Sequence, residues 1–276
     1  MRRKFLSSYT RILILINVII FFLSLILFGI YGEKFFELFA LTPKLFFSGY
    51  IWTALTSMFL HSPSGILSIH LLANMISLFF IGTFVEHLVG RKRFLGIYIA
   101  SGIFAGIFFA TLSFFFGNSE IGARLFGSPN IIALGASGAI FGLAGLIAVL
   151  TPRNKIYLIA GPLIAIIIQS ILEVTISNPS ILSLINFIVL AYFLFSLYTF
   201  FSFNKNLKKF ALPIEMPFYI LPIVAIVPLV IIGLFIDLPI GNSAHLGGLI
   251  VGVLYGFYLR KKYPKKSKMI RNYFSK

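Results

Sequence analysis

The chain has 276 residues, 59% of them hydrophobic and only 11% charged, with a mean hydropathy of +1.02. A soluble chain of this length needs about 25% charged residues to clothe its surface, so the composition excludes an ordinary soluble domain. The formal charge of +16 would suit a nucleic-acid binder, but the basic residues lie in short runs at the ends of long apolar stretches, and nucleic acid is not an expected partner.

A transmembrane helix needs roughly 20 predominantly apolar residues. Eight segments meet or approach that, near 11–30, 67–88, 94–116, 136–152, 155–176, 181–203, 217–236 and 243–260. The first follows Met1-Arg2-Arg3-Lys4 and is too long for a signal peptide, with no small-residue cleavage site at Phe28-Gly29-Ile30-Tyr31, so it reads as a retained helix. The segment from Tyr31 to Ile66 is a long outer loop. Its uncharged stretch Leu45–Leu60, with Phe46, Phe47, Tyr50, Trp52 and Phe59, is short for a span and suits the membrane surface. A turn at Ser177-Asn178-Pro179-Ser180 divides the fifth segment from the sixth.

Charge tests this count independently. With eight crossings and the amino terminus inside, every basic residue except Lys34, Lys44 and Arg124 falls on the cytoplasmic side, as the positive-inside rule asks. The expectation is therefore an all-α, polytopic transmembrane helical bundle in the cell membrane, a single domain over 1–276. Both termini are expected in the cytoplasm, and residues 261–276 form a basic tail facing the lipid bilayer.

Ionisable and polar groups are costly at membrane depth, and each is a functional candidate. Ser137 begins the fourth helix within Gly135-Ala136-Ser137-Gly138. Taken alone it is more often a packing serine, because small residues let membrane helices approach closely. His245 opens the last helix in Ala244-His245-Leu246-Gly247-Gly248, and Gly248 and Gly252 form a small face there. Gly138, Gly142 and Gly145 form another on the fourth helix. Contact between the two faces would bring Ser137 to His245, one turn or less below the outer surface. A serine hydroxyl is a weak nucleophile until a base takes its proton, a task suited to histidine.

His70 and Asn74 lie four apart on one face of the second helix and can both donate hydrogen bonds to a developing oxyanion. Taken alone, Asn74 is more often interhelical glue. Phe141, one turn below Ser137, is placed to hold an imidazole ring. Asp237 lies eight residues before His245 in the outer turn, so a dyad fits better than a triad. No cysteine is present, and His61, His70, His87 and His245 are too scattered for a metal cluster; no cofactor or metal is expected.

These residues together resemble the rhomboid family of intramembrane serine proteases. Gly135-Ala136-Ser137-Gly138 is similar to the family's GxSG motif, Ala244-His245 with Gly248 and Gly252 to its AHxxGxxxG helix, and His70 to Asn74 to its HxxxN motif. Glu86, Gly90, Phe94 and Tyr98 resemble the stretch joining its second and third helices. The resemblance covers about residues 10–152 and 217–260. It implies Ser137 as nucleophile, His245 as general base, and His70, Asn74 and the Ser137 amide as the oxyanion hole. It also implies transmembrane protein substrates, cleaved in or near their membrane helices at a site opening to the outer side.

Three features depart from the family pattern. Trp52 is followed by Thr53 where the family often has arginine. His61 resembles an additional family histidine, but the stretch Ser62–Ile69 is longer than usual and no role is carried onto it. The family's core has six helices, so the pair within 155–203 reads as an insertion, leaving 217–236 as the usual fifth helix. Two other readings compete: a catalytically inactive rhomboid-like factor that binds membrane proteins, and a small transporter. The first should have lost Ser137 or His245, and the second should show internal repeats; neither sign is present.

Overall fold

The computed structural model describes residues 8–62, 69–202, 204–235 and 241–274. Helices occupy the eight expected positions: α1 (Tyr9–Tyr31), α2 (Ile69–Val89), α3 (Arg91–Phe116), α4 (Ser137–Leu150), α5 (Ala160–Thr175), α6 (Pro179–Phe201), α7 (Leu221–Gly233) and α8 (Asn242–Lys262). By length and composition α1, α2, α3 and α6 suffice to cross a hydrocarbon core of about 30 Å. The 14 residues of α4 span only about 21 Å.

That shortness leaves its first residue well inside the length of α3. Gly138 packs against Ala105 of α3, and α3 continues from there to Phe116, about 16 Å further at 1.5 Å per residue. Ser137 therefore starts its helix about three turns short of the end of α3. The centre of the molecule is the packing of α3, α4 and α8 against one another, with Tyr98, Phe94, Leu143, Leu146 and Ile147 fully enclosed.

Glu86 near the end of α2 organises the start of α1. Its carboxylate accepts from the Thr10 hydroxyl (2.7 Å) and amide (2.9 Å), the Tyr9 amide (3.0 Å) and the Ser8 hydroxyl (2.8 Å). The amides at a helix start have no intrahelical partner, so a carboxylate from another helix both caps α1 and ties it to α2. Arg91 adds a longer contact at 3.6 Å. Glu86→Ala is expected to lower stability by about 3 kcal/mol, since several hydrogen bonds to one charged acceptor are lost together. An unchanged thermal midpoint in detergent would remove that role.

Two boundaries differ from the sequence expectation. The helix expected from residue 155 begins at Ala160, because Lys155–Ile159 forms a strand, β1, paired antiparallel with β2 (Pro213–Pro217), Tyr157 opposite Glu215. Ile156, Tyr157 and Ile159 suit a pleated surface, and they read as helix only because they extend an apolar run. The helical bundle thus carries one small β-ribbon. Lys155 meets Glu215 at 2.8 Å, which holds the lysine above and the carboxyl below their ordinary values. Similarly α7 starts at Leu221 rather than 217, as Pro217 ends β2.

Helices α5 and α6 pack chiefly on each other, and Phe201 stacks on Phe80 of α2 with centroids 5.8 Å apart. Helix α7 packs against both α4 and α8, and Phe218 just before it stacks on Phe84 of α2. The basic tail continues as a helix over Pro264–Tyr273.

Candidate active site

The site is assembled by a glycine seam. A Cβ on Gly248 would overlap the carbonyl of Gly138, and one on Gly252 the carbonyl of Gly142. On the other side of α4, a Cβ on Gly142 would strike Ser101 of α3. Only hydrogen at these positions lets α8, α4 and α3 approach this closely.

That approach sets the register between the first turns of α4 and α8. His245 Nε2 lies 2.9 Å from Ser137 Oγ, a hydrogen bond across 108 positions of sequence. The Phe141 ring lies parallel to the imidazole, centroids 4.4 Å apart and planes 15° from parallel, so the ring's tilt is fixed by packing. Among the described residues His245 Nδ1 has no hydrogen-bond partner. Asp237 lies outside the described residues.

The approach to Ser137 is a tight turn. Gly135 has φ +120°, where a side chain would be strained. A Cβ there would also come within 2.8 Å of the His70 ring. Asn74 Nδ2 lies close to the same point and donates to the His70 carbonyl at 2.8 Å. An amide nitrogen carries two hydrogens, which leaves one for another acceptor. His70 and Asn74 thus flank the turn that leads into Ser137. His61 is fully buried, its ring 5.2 Å from that of His70.

Sequence reasoning missed what holds this turn. The Gly135 amide donates to the Ser57 carbonyl at 2.9 Å, and Leu41 and Ala133 exchange backbone hydrogen bonds of 2.8 and 3.0 Å. The loop between α1 and α2 is therefore a brace for the segment before Ser137. It packs in turn on α3, Met58 against Gly102 and Ala54 against Gly106. Backbone contacts leave no residue signature, but the small residues four apart in α3 did offer one. The loop holds its own shape through Trp52 Nε1 to the Leu38 carbonyl (2.8 Å) and the Thr53 hydroxyl to the Tyr50 carbonyl (2.6 Å). Among the described residues no three metal-ligating side chains gather.

The family model described as the rhomboid domain matches residues 48–188 and 163–262, which is most of the chain and includes the seam and the turn. The chain belongs to the rhomboid family. It is 36% identical to the rhomboid protease GluP of Bacillus subtilis (strain 168) over 149 residues, 54% of this chain and 25% of that protein. It is 31% identical to the rhomboid protease AarA of Providencia stuartii over 144 residues, covering 50% and 48%. Against the putative rhomboid protease YdcA of Bacillus subtilis (strain 168) identity is 34% over 99 residues, covering 36% and 41%. The chain spans less than half the length of each of these relatives. As a rhomboid with several long apolar helices, it is an integral membrane protein of an intramembrane protease family.

Proposed function

We propose that this rhomboid is an intramembrane serine endopeptidase in which Ser137 and His245 act as a dyad on transmembrane protein substrates. The observation that carries the reading is the 2.9 Å contact between Ser137 Oγ and His245 Nε2. Nucleophile and base within hydrogen-bond reach, with the base held by a third group, is the arrangement nucleophilic catalysis needs. The stacked Phe141 ring serves as that third group in the dyad.

In this scheme His245 takes the Ser137 proton as Oγ attacks the scissile carbonyl. The resulting oxyanion is held by the Ser137 amide with His70 and Asn74. The intermediate collapses, the imidazolium gives its proton to the leaving amine, and water releases the acyl group by the same steps. Both termini lie in the cytoplasm of the cell membrane in this reading, with the site opening outward, as the charge pattern favours.

The test is incubation of the purified, detergent-solubilised protein with a fluorophosphonate probe and with a fluorescent model transmembrane substrate. The expected result is substrate cleavage and a single adduct on the peptide containing Ser137. Well-folded protein that gives neither would favour the inactive rhomboid-like factor. Asn74→Ala is expected to lower kcat by roughly 10²–10³, the loss of one oxyanion donor, with little change in KM. Unchanged kcat would exclude Asn74 from the hole.

A further inference from the structure

Far along the bundle from Ser137, α3 and α8 part to leave an open groove of about 640 Å³. Such a volume is within the ~300–1,000 Å³ of small-molecule sites. Its α3 wall is formed by Gly96, Ile97 and Ala100, and its α8 wall by Val251, Leu254 and Tyr255. A Cβ on Gly96 would meet nothing within 4 Å, so that wall is an empty slot rather than a packed seam. This contrasts with the glycines opposite α4.

The mouth of the groove is basic. Lys92 and Arg93 line it at the start of α3, and α8 ends there in Arg260-Lys261-Lys262. Arg93 donates to the Tyr263 hydroxyl at 2.9 Å, and Lys262 to the Tyr258 hydroxyl at 2.7 Å. These partners orient the cations without neutralising them. Among the described residues no acidic side chain lines the groove. The nearest in sequence, Glu86, is engaged by the start of α1 and Arg91.

An apolar slot at membrane depth, closed at one end by unneutralised cations and tyrosine hydroxyls, complements one kind of molecule. We propose that the groove between α3 and α8 binds an anionic phospholipid, an acyl chain along Gly96 and Ala100 and the phosphate at Lys92, Arg93 and Tyr258. A packed helix of another protein would fill the slot but leave the cations unmatched. A zwitterionic lipid would bring its own cation to a basic rim. Anionic lipid at a basic pocket between transmembrane helices follows the ordinary electrostatics of the membrane surface. The proposal requires a membrane protein but not a working dyad, so it stands or falls apart from the protease reading.

The test is native mass spectrometry of the full-length protein in detergent, titrated with phosphatidylglycerol or with phosphatidylcholine of the same acyl chains. A retained phosphatidylglycerol adduct is expected, several-fold tighter than any phosphatidylcholine adduct. Lys92→Gln should weaken it about fivefold, the factor matching ~1 kcal/mol for each basic residue beside anionic lipid. Gly96→Leu should abolish it by filling the slot, and its thermal midpoint reports folding; if it does not fold, Lys92→Gln decides. The double variant Lys265→Gln/Lys266→Gln should retain the adduct, because those lysines lie outside the groove. Equal retention of the two lipids would overturn the proposal, as would undiminished binding in folded Gly96→Leu. Loss in the tail variant equal to that in Lys92→Gln would do the same, by showing a diffuse attraction to the basic surface.

Discussion

Ser137→Ala and His245→Ala are each expected to abolish substrate cleavage and fluorophosphonate labelling, with rates falling by about 10⁶ as when a nucleophile or its base is removed from a serine protease. The double variant should be no slower than either single one, because a hydroxyl without a base and a base without a hydroxyl are equally idle. That non-additivity separates chemistry from structure. Ser137 is only half-buried and among the described residues its hydroxyl bonds to His245, so removing it takes one hydrogen bond from the fold. The loss of stability should stay near 1 kcal/mol. Retained labelling in His245→Ala would mean that another base serves Ser137. Retained cleavage in Ser137→Ala would end the proposed mechanism.

The residues of the site were legible in the sequence while the brace around them was not. Ser137, His245, His70 and Asn74 are polar groups set in apolar helices, and that contrast makes them visible. Phe141 was legible from helical spacing, since a residue four after Ser137 shares its face. The glycine face of α8 was legible for the same reason. The contacts from Ser57 to Gly135 and from Leu41 to Ala133 run between backbone atoms, which every residue carries, so no pattern announces them. The β-ribbon was missed because hydropathy reports apolar length, and Ile156 to Ile159 extend such a run as a strand as readily as a helix. Glu86 belonged to a stretch read by resemblance, but its four donors come from 76 to 78 positions earlier, at the start of another helix.

Gly252→Ala is expected to be among the most damaging small substitutions in the bundle. Its new methyl would overlap the Gly142 carbonyl, and backbone cannot move aside as a side chain can. Overpacking of this kind costs about 1–3 kcal/mol, more than the helix propensity gained by replacing glycine, which is at most about 1 kcal/mol. The same exchange at Gly96, where a Cβ meets nothing, should gain that propensity and stabilise. The two variants add the same atom to glycines within helices, so opposite signs would isolate the seam as the cause. Gly252 lies about 10 Å along α8 from His245, beyond direct contact with Ser137. A wedge there should also tilt α8 from α4 and lengthen the 2.9 Å contact, so the protein that remains folded should cleave more slowly at unchanged KM. Thermal unfolding and steady-state kinetics on both variants measure the two effects. Equal midpoints for Gly252→Ala and Gly96→Ala would mean that α4 and α8 are not held at the distance that puts His245 beside Ser137.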